Sequence, residues 1–302
     1  MSAVRQICED PYSPDFDPLK EALYAWEIRR SEPKESHRLA LDLIDHALEF
    51  DDPLVTGWAY LTCGAHELAA NEVNEAEQSL DSAMKLFIRI GEKRGESLSL
   101  ILRARAHVTR GELHLALEMY KSIIEREAHG LQTLERFEAF NAIAGCFWGL
   151  DRVELSLLYL SKAFDTLRNT THNSERATVL SNVGSALISV GNYEAAREFL
   201  TAALKFSAHG SDRVLAFNIL MSLTACHIEL KDSKQALAIA TRLMRNYQDL
   251  ALAGPSNTAL CKAAIAFAME KEWLIAYECL KAARALALQT DLSISTILFA
   301  QV

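Results

Sequence analysis

The stretch Ala177 to Phe206, ATVLSNVGSALISVGNYEAAREFLTAALKF, decides the fold of this chain. Leu180, Val183, Gly184 and Leu187 recur at i, i+3, i+4 and i+7, an apolar stripe along one face of a helix. Gly191 and Asn192 then break the pattern with residues that tolerate left-handed or turn backbone. Tyr193 opens a second stripe with Ala196, Leu200, Ala203 and Leu204. Two stripes joined by so short a break predict an antiparallel helical hairpin.

The hairpin recurs. Ala76, Ala116, Ser156, Ala196, Ala236 and Ala276 stand 40 residues apart. Twelve positions before each comes a small residue: Gly64, Ala104, Ala144, Gly184, Thr224 and Ala264. Seven positions after each comes Ala83, Ile123, Ala163, Ala203, Leu243 or Ala283. Helices that cross closely need small residues at the contact, because a larger side chain holds the backbones apart. A hairpin cannot bury its apolar face alone, so a strict period implies stacked units sharing one continuous core. Turns are expected at Asn71-Glu72, Gly111-Glu112, Asp151-Arg152, Gly191-Asn192, Lys231-Asp232 and Lys271-Glu272. The fold class is all-α.

Half of the residues are hydrophobic and 24% are charged, enough for a substantial core. The net charge of −9 argues against nucleic acid and anionic membranes as partners, since both require a basic face. No apolar run approaches the roughly 20 residues of a membrane span, and the first eighteen residues lack the apolar core of a signal peptide. Cys8, Cys63, Cys146, Cys226, Cys261 and Cys279 are scattered without a CxxC pair, which reads as buried reduced thiols in a cytoplasmic protein. There is no phosphate loop, HExxH or GxSxG, so the sequence gives no reason to expect an enzyme, a metal or a cofactor. His107 and His227 share a repeat position three repeats apart and read as packing residues. Arg103, at a normally apolar position, reads as a snorkelling side chain satisfied by a nearby acid.

Gly184, Leu187, Gly191, Tyr193, Ala196, Leu200 and Ala203 stand where tetratricopeptide repeats carry their signature small, apolar and aromatic residues, and the chain resembles that family from roughly Gly57 to Ala285. The resemblance implies a right-handed superhelical solenoid of antiparallel helical hairpins. About seven are expected over residues 19–302, after an irregular segment 1–18 that contains Pro11, Pro14 and Pro18. The family's usual period is about 34 residues. The extra length predicts longer helices or a longer inter-repeat turn, as in arrays of bacterial signalling proteins such as diguanylate cyclases. From Leu292, LSISTILFAQV reads as the start of another first helix, with Ile294, Ile297, Leu298 and Phe299 as its apolar stripe. That stripe suggests a regulatory or sensory part of a longer protein, and a homodimer through the C-terminal helix.

The resemblance also implies a concave groove lined by the first helices, binding a peptide or protein ligand. Carried over residue by residue, the groove includes Arg105, Glu138, Asn141, Trp148, Ser181, Asn182, Asn218 and Met221. Asparagine amides both donate to and accept from a peptide backbone, so Asn141, Asn182 and Asn218 could form a ladder along an extended ligand; the alternative is that they are solvated helix residues. Trp148 is either an exposed anchor or a filler of the gap left by Gly145 and Gly149. Other readings remain: a free-standing adaptor, a regulator of a partner enzyme acting through Glu138 or Glu229, and a small-molecule sensor.

Overall fold

The computed structural model describes residues 17–46, 52–125, 131–208, 212–249 and 255–289. Among them every regular element is helical. In chain order these are α1 (Pro18–Ile28), α2 (Pro33–Asp45), α3 (Pro53–Ala69), α4 (Val73–Ile90), α5 (Lys93–Thr109), α6 (Leu113–Glu125), α7 (Thr133–Gly149), α8 (Val153–Thr166), α9 (Asn173–Ser189), α10 (Tyr193–Ser207), α11 (Arg213–Glu229), α12 (Ser233–Asp249), α13 (Pro255–Met269) and α14 (Trp273–Gln289). Odd-numbered helices are the first helices of repeats and even-numbered helices the second. No described helix is long and apolar enough to cross a membrane.

Local chemistry sets the helix ends. The side chains of Asp17, Asp52, Glu92, Asn192 and Asp212 accept from backbone N–H groups of the first turn. Pro18, Pro33 and Pro53 occupy first-turn positions where no N–H is needed. Asn71, Gly111, Asp151, Gly191, Lys231 and Lys271 all adopt left-handed backbone, with φ between 56° and 78°, at the six expected turns. Five of these turns close with one pair of bonds, represented by Gly191 N to Ile188 O at 2.9 Å and Asn192 N to Leu187 O at 2.9 Å. This arrangement satisfies the last carbonyls of the first helix and reverses the chain within two residues.

The extra residues of the long period go to two places. First helices α3, α5, α7, α9 and α11 each have 17 residues. In the repeat built from α3 and α4 the second helix extends to 18 residues, and left-handed Gly91 turns it directly into α5. In the repeat built from α7 and α8 the second helix has 14 residues, and a longer connection, residues 167–172, leads to α9.

Every residue of the three periodic columns is buried. Ser36 and Leu43 extend two of the columns into the α1–α2 hairpin, where both are buried. A Cβ on Gly184 would lie 2.5 Å from Leu200 Cγ, and one on Gly64 would lie 2.8 Å from Leu80 Cγ. The small residues are therefore there because the facing leucine occupies the space.

The chain divides into two compact units, residues 1–150 and 151–302. In the first, α1 packs on α2, α3 on α4 and α5 on α6, with α7 against α6. In the second, Leu180, Ala196, Leu200, Ala203, Ile219, Leu223 and Cys226 form one core around α9, α10 and α11, and α12, α13 and α14 carry a neighbouring cluster that includes Ala240, Ala264 and Cys279. Cys63, Cys146, Cys226 and Cys279 are buried free thiols. Burial pushes the Cys63 thiol up to about 12 and those of Cys146 and Cys226 to about 11, so all three are inert at neutral pH. Cys8, the irregular segment up to Phe16 and the stripe Ile294, Ile297, Leu298 and Phe299 lie outside the described residues.

Candidate functional site

In the first unit the faces of α1, α3, α5 and α7 are tied by a closed ring of contacts. The Trp26 and Trp58 rings lie 6.0 Å apart, and the Arg94 guanidinium sits 5.0 Å over Trp58. Arg94 donates through two nitrogens to Glu135, at 2.7 and 3.1 Å. Glu135 is 3% exposed and also accepts the Gln132 backbone N–H at 2.7 Å, which caps α7. One turn along α7, Glu138 is held by Arg30 at 2.7 Å and Arg29 at 3.3 Å. Arg29 stacks 3.7 Å over Trp26 and closes the ring. Burial lowers the Arg29 pKa and Glu138 partly restores it; a guanidinium stays charged in either case.

This ring changes the reading of Glu138. Its carboxylate is committed to two arginines of the first hairpin and is not a free group aimed at a partner. Arg105 is exposed and Asn141 half-buried. Trp148 is 51% exposed. It does not fill the gap at Gly149, since a Cβ there would lie 2.7 Å from Leu113, which occupies that space; nothing lies within 4 Å of a Cβ at Gly145. Arg103 pairs with Asp81 at 3.3 Å, in keeping with a satisfied surface arginine.

Histidines in both units are shaped by burial. Ser36 Oγ donates to the Ala25 carbonyl at 2.7 Å and so accepts from His66 Nε2 at 2.8 Å, while the His37 ring stacks 5.0 Å from that of His66. Burial, then His37 and Arg29, push the His66 pKa down. His227 Nδ1 lies 3.4 Å from Asp232 Oδ2 without hydrogen-bond geometry. Burial outweighs Asp232 and lowers its pKa as well, so the ring is neutral at pH 7 and the contact is not an ion pair.

In the second unit Asn182, Asn218 and Met221 are half-buried, and Met221 packs against the cluster of Phe217, Leu220, Leu243 and Ala259. Ser181 is 7% exposed, turned into the hairpin, and offers a ligand almost no surface. The asparagines do not form one column, because 141, 182 and 218 fall at three different points of the repeat. The true column is Asn182, Ser222 and Lys262, each 40 residues from the next and each partly exposed. They lie on α9, α11 and α13, which touch in sequence. Beside it runs Thr178, Asn218 and Thr258. Lys262 has no hydrogen-bond or ion-pair partner among the described residues; burial lowers its pKa, with Cys226 and Glu229 opposing. Projection of the 40-residue register by one more repeat would have found it. No group of three or more metal-ligating side chains occurs among the described residues.

A family model, tetratricopeptide repeat, matches residues 175–249, and the solved structures that share the fold include repeat proteins of this kind. The chain has the all-helical fold of tetratricopeptide repeat solenoids, and its sequence matches that family's model over those residues. The apo form of RapI superposes with a TM-score of 0.75 at 16% identity, over 91% of this chain and 77% of RapI. A Pyrococcus horikoshii signal transduction ATPase, PH0952, whose tetratricopeptide repeats are a sensor, matches with a TM-score of 0.71 at 18% identity, over 90% of this chain and 40% of PH0952. The Cut9–Hcn1 assembly of the APC/C matches with a TM-score of 0.69 at 16% identity, over 96% of this chain and 49% of that one. No curated protein matches the chain.

Proposed function

We propose that this chain is a peptide- or protein-binding module acting as the regulatory or sensory part of a signalling protein, and that its acceptor surface is the polar face of α9, α11 and α13. The observation that carries this reading is the pair of partly exposed polar columns, Thr178–Asn218–Thr258 and Asn182–Ser222–Lys262, on neighbouring helices whose opposite sides are fully packed. Neighbouring helix axes about 8–10 Å apart present such side chains at a spacing that an extended segment can follow. The asparagines grip its backbone, and Lys262, the one cation of the two columns, receives an acidic group. On α7 of the first unit the equivalent positions are Glu138 and Ala142, so exposed Trp148 and half-buried Asn141 stand outside the two columns. The sensor role of the repeats in PH0952 supports the regulatory reading. An output such as a diguanylate cyclase rests on the sequence resemblance alone. Self-association at the C-terminal end of the array is part of the same reading.

The test is selection of binders from a random peptide library displayed on phage, followed by calorimetric titration of a selected peptide. Asn182→Ala with Asn218→Ala should weaken binding at least tenfold and leave the helical circular dichroism unchanged. Lys262→Met should weaken acidic peptides more than neutral ones. Equal affinity for the wild type and all variants overturns the assignment.

A further inference from the structure

The side of each second helix that receives the next repeat is legible position by position. Leu113 of α6 packs over Gly149 of α7, the next first helix, and Glu77 of α4 is bound by Arg110 at the end of α5. Their equivalents on α14 are Trp273 and Tyr277. In the earlier repeats the Trp273 position (Val73, Leu113, Val153, Tyr193, Ser233) is half-buried, and the Tyr277 position (Glu77, Leu117, Leu157, Arg197, Leu237) is half-buried or buried. On α14, Trp273 is 61% and Tyr277 63% exposed, flanked by Leu274 at 76%. A stacking face built in every other repeat to be covered here presents two large aromatic rings.

We infer that this face of α14 binds a second copy of the chain, with the two α14 helices antiparallel about a two-fold axis. The inference rests on the self-association proposed above and adds its surface and chemistry. The argument is self-complementarity. Along one side of α14 the rings of Trp273 and Tyr277 occupy the amino-terminal half, while the exposed cations Lys281 and Arg284 follow at i+4 and i+7 from Tyr277. A two-fold axis near Cys279 brings Tyr277 of one copy to Lys281 of the other, and Trp273 to Arg284. Each protomer then gives two rings and two cations, and the contact closes on itself. Glu278, 3.6 Å from Lys281 within the chain, stands next to the axis and keeps the cations from repelling one another.

Sedimentation velocity of the full chain between 1 and 100 µM tests the inference. The expected result is a monomer–dimer equilibrium that Trp273→Ala with Tyr277→Ala abolishes, and that Arg284→Glu weakens at least tenfold, all with unchanged circular dichroism. In a Trp148→Phe background, tryptophan emission should shift to the blue as concentration rises. A chain that is monomeric throughout overturns self-association. A dimer that survives the double alanine variant overturns this surface but not self-association, and one that tolerates Arg284→Glu overturns the antiparallel register. Blue-shifted emission at every concentration in a monomer shows that residues 290–302 of the same chain cover the face, and also overturns the inference.

Discussion

Replacing Gly184 tests the repeat register at its tightest point. A Cβ there would stand 2.5 Å from Leu200 Cγ and 2.7 Å from Cδ2, against about 3.5–4.0 Å for an ordinary carbon contact. Leu200 is fully buried among Leu180, Ala196, Ala203 and Ile219 and has nowhere to retreat. Overpacking of this kind costs about 1–3 kcal/mol, and exchanging glycine for alanine in a helix returns about 1 kcal/mol. Gly184→Ala should therefore destabilise by about 0–2 kcal/mol and Gly184→Leu by about 3 kcal/mol. Gly145 is the control: it is helical and exposed, with nothing within 4 Å of its Cβ position, so Gly145→Ala should stabilise by about 0.5–1 kcal/mol. Leu200→Ala in the Gly184→Leu background should be less harmful than the two separate effects summed, because the truncation vacates the space the new side chain needs. Urea unfolding followed by far-ultraviolet circular dichroism measures all five variants, Leu200→Ala alone among them. A Gly184→Leu midpoint equal to wild type, or Gly145→Ala and Gly184→Ala shifting together in sign and size, refutes the packing.

Lys231→Gly and Lys271→Gly should each stabilise by about 0.5–1 kcal/mol in the same assay, since both lysines hold left-handed backbone that glycine adopts without penalty; a loss of stability would show that the lysine side chains matter there. Glu135→Gln should cost about 3 kcal/mol by leaving Arg94 half-buried and uncompensated, and Arg94→Met with Glu135→Leu should cost less than that single change apart from the lost cap; equal losses would show that the ion pair is incidental. His66 has a folded pKa below its unfolded value, so the unfolded state binds the extra proton and stability is lost as pH falls below about 6.5. His66→Gln, which can still donate to Ser36, should make the urea midpoint less sensitive between pH 7.5 and 5.5, and an identical slope would rule out His66 as a source.

The fold was legible because its determinants are local and repeated. Ala76 and its equivalents are small for one reason, a close helix contact, and a reason repeated every 40 residues is visible without any partner being known. The turns followed from the same arithmetic, including Lys231 and Lys271, whose residue type alone argues against left-handed backbone. The ring from Trp26 to Glu138 was not legible. Arg29 and Glu138 are 109 positions apart, and only the packing of the intervening helices brings them together. The candidate surface was half legible: a stripe defined by helical periodicity alone is wide enough to include Ser181, which the hairpin buries, and to join asparagines that share no column. Lys262 was within reach because its register matches Asn182, but the sequence could not show that it makes no hydrogen bond or ion pair among the described residues.

Hydrogen exchange of the full chain, with and without a library-selected peptide, tests the central claim most directly. Peptide binding should slow exchange in α9, α11 and α13, and Asn182→Ala with Asn218→Ala should remove that protection. Protection confined to the second helices α10, α12 and α14, or none at a saturating peptide concentration, would contradict the account.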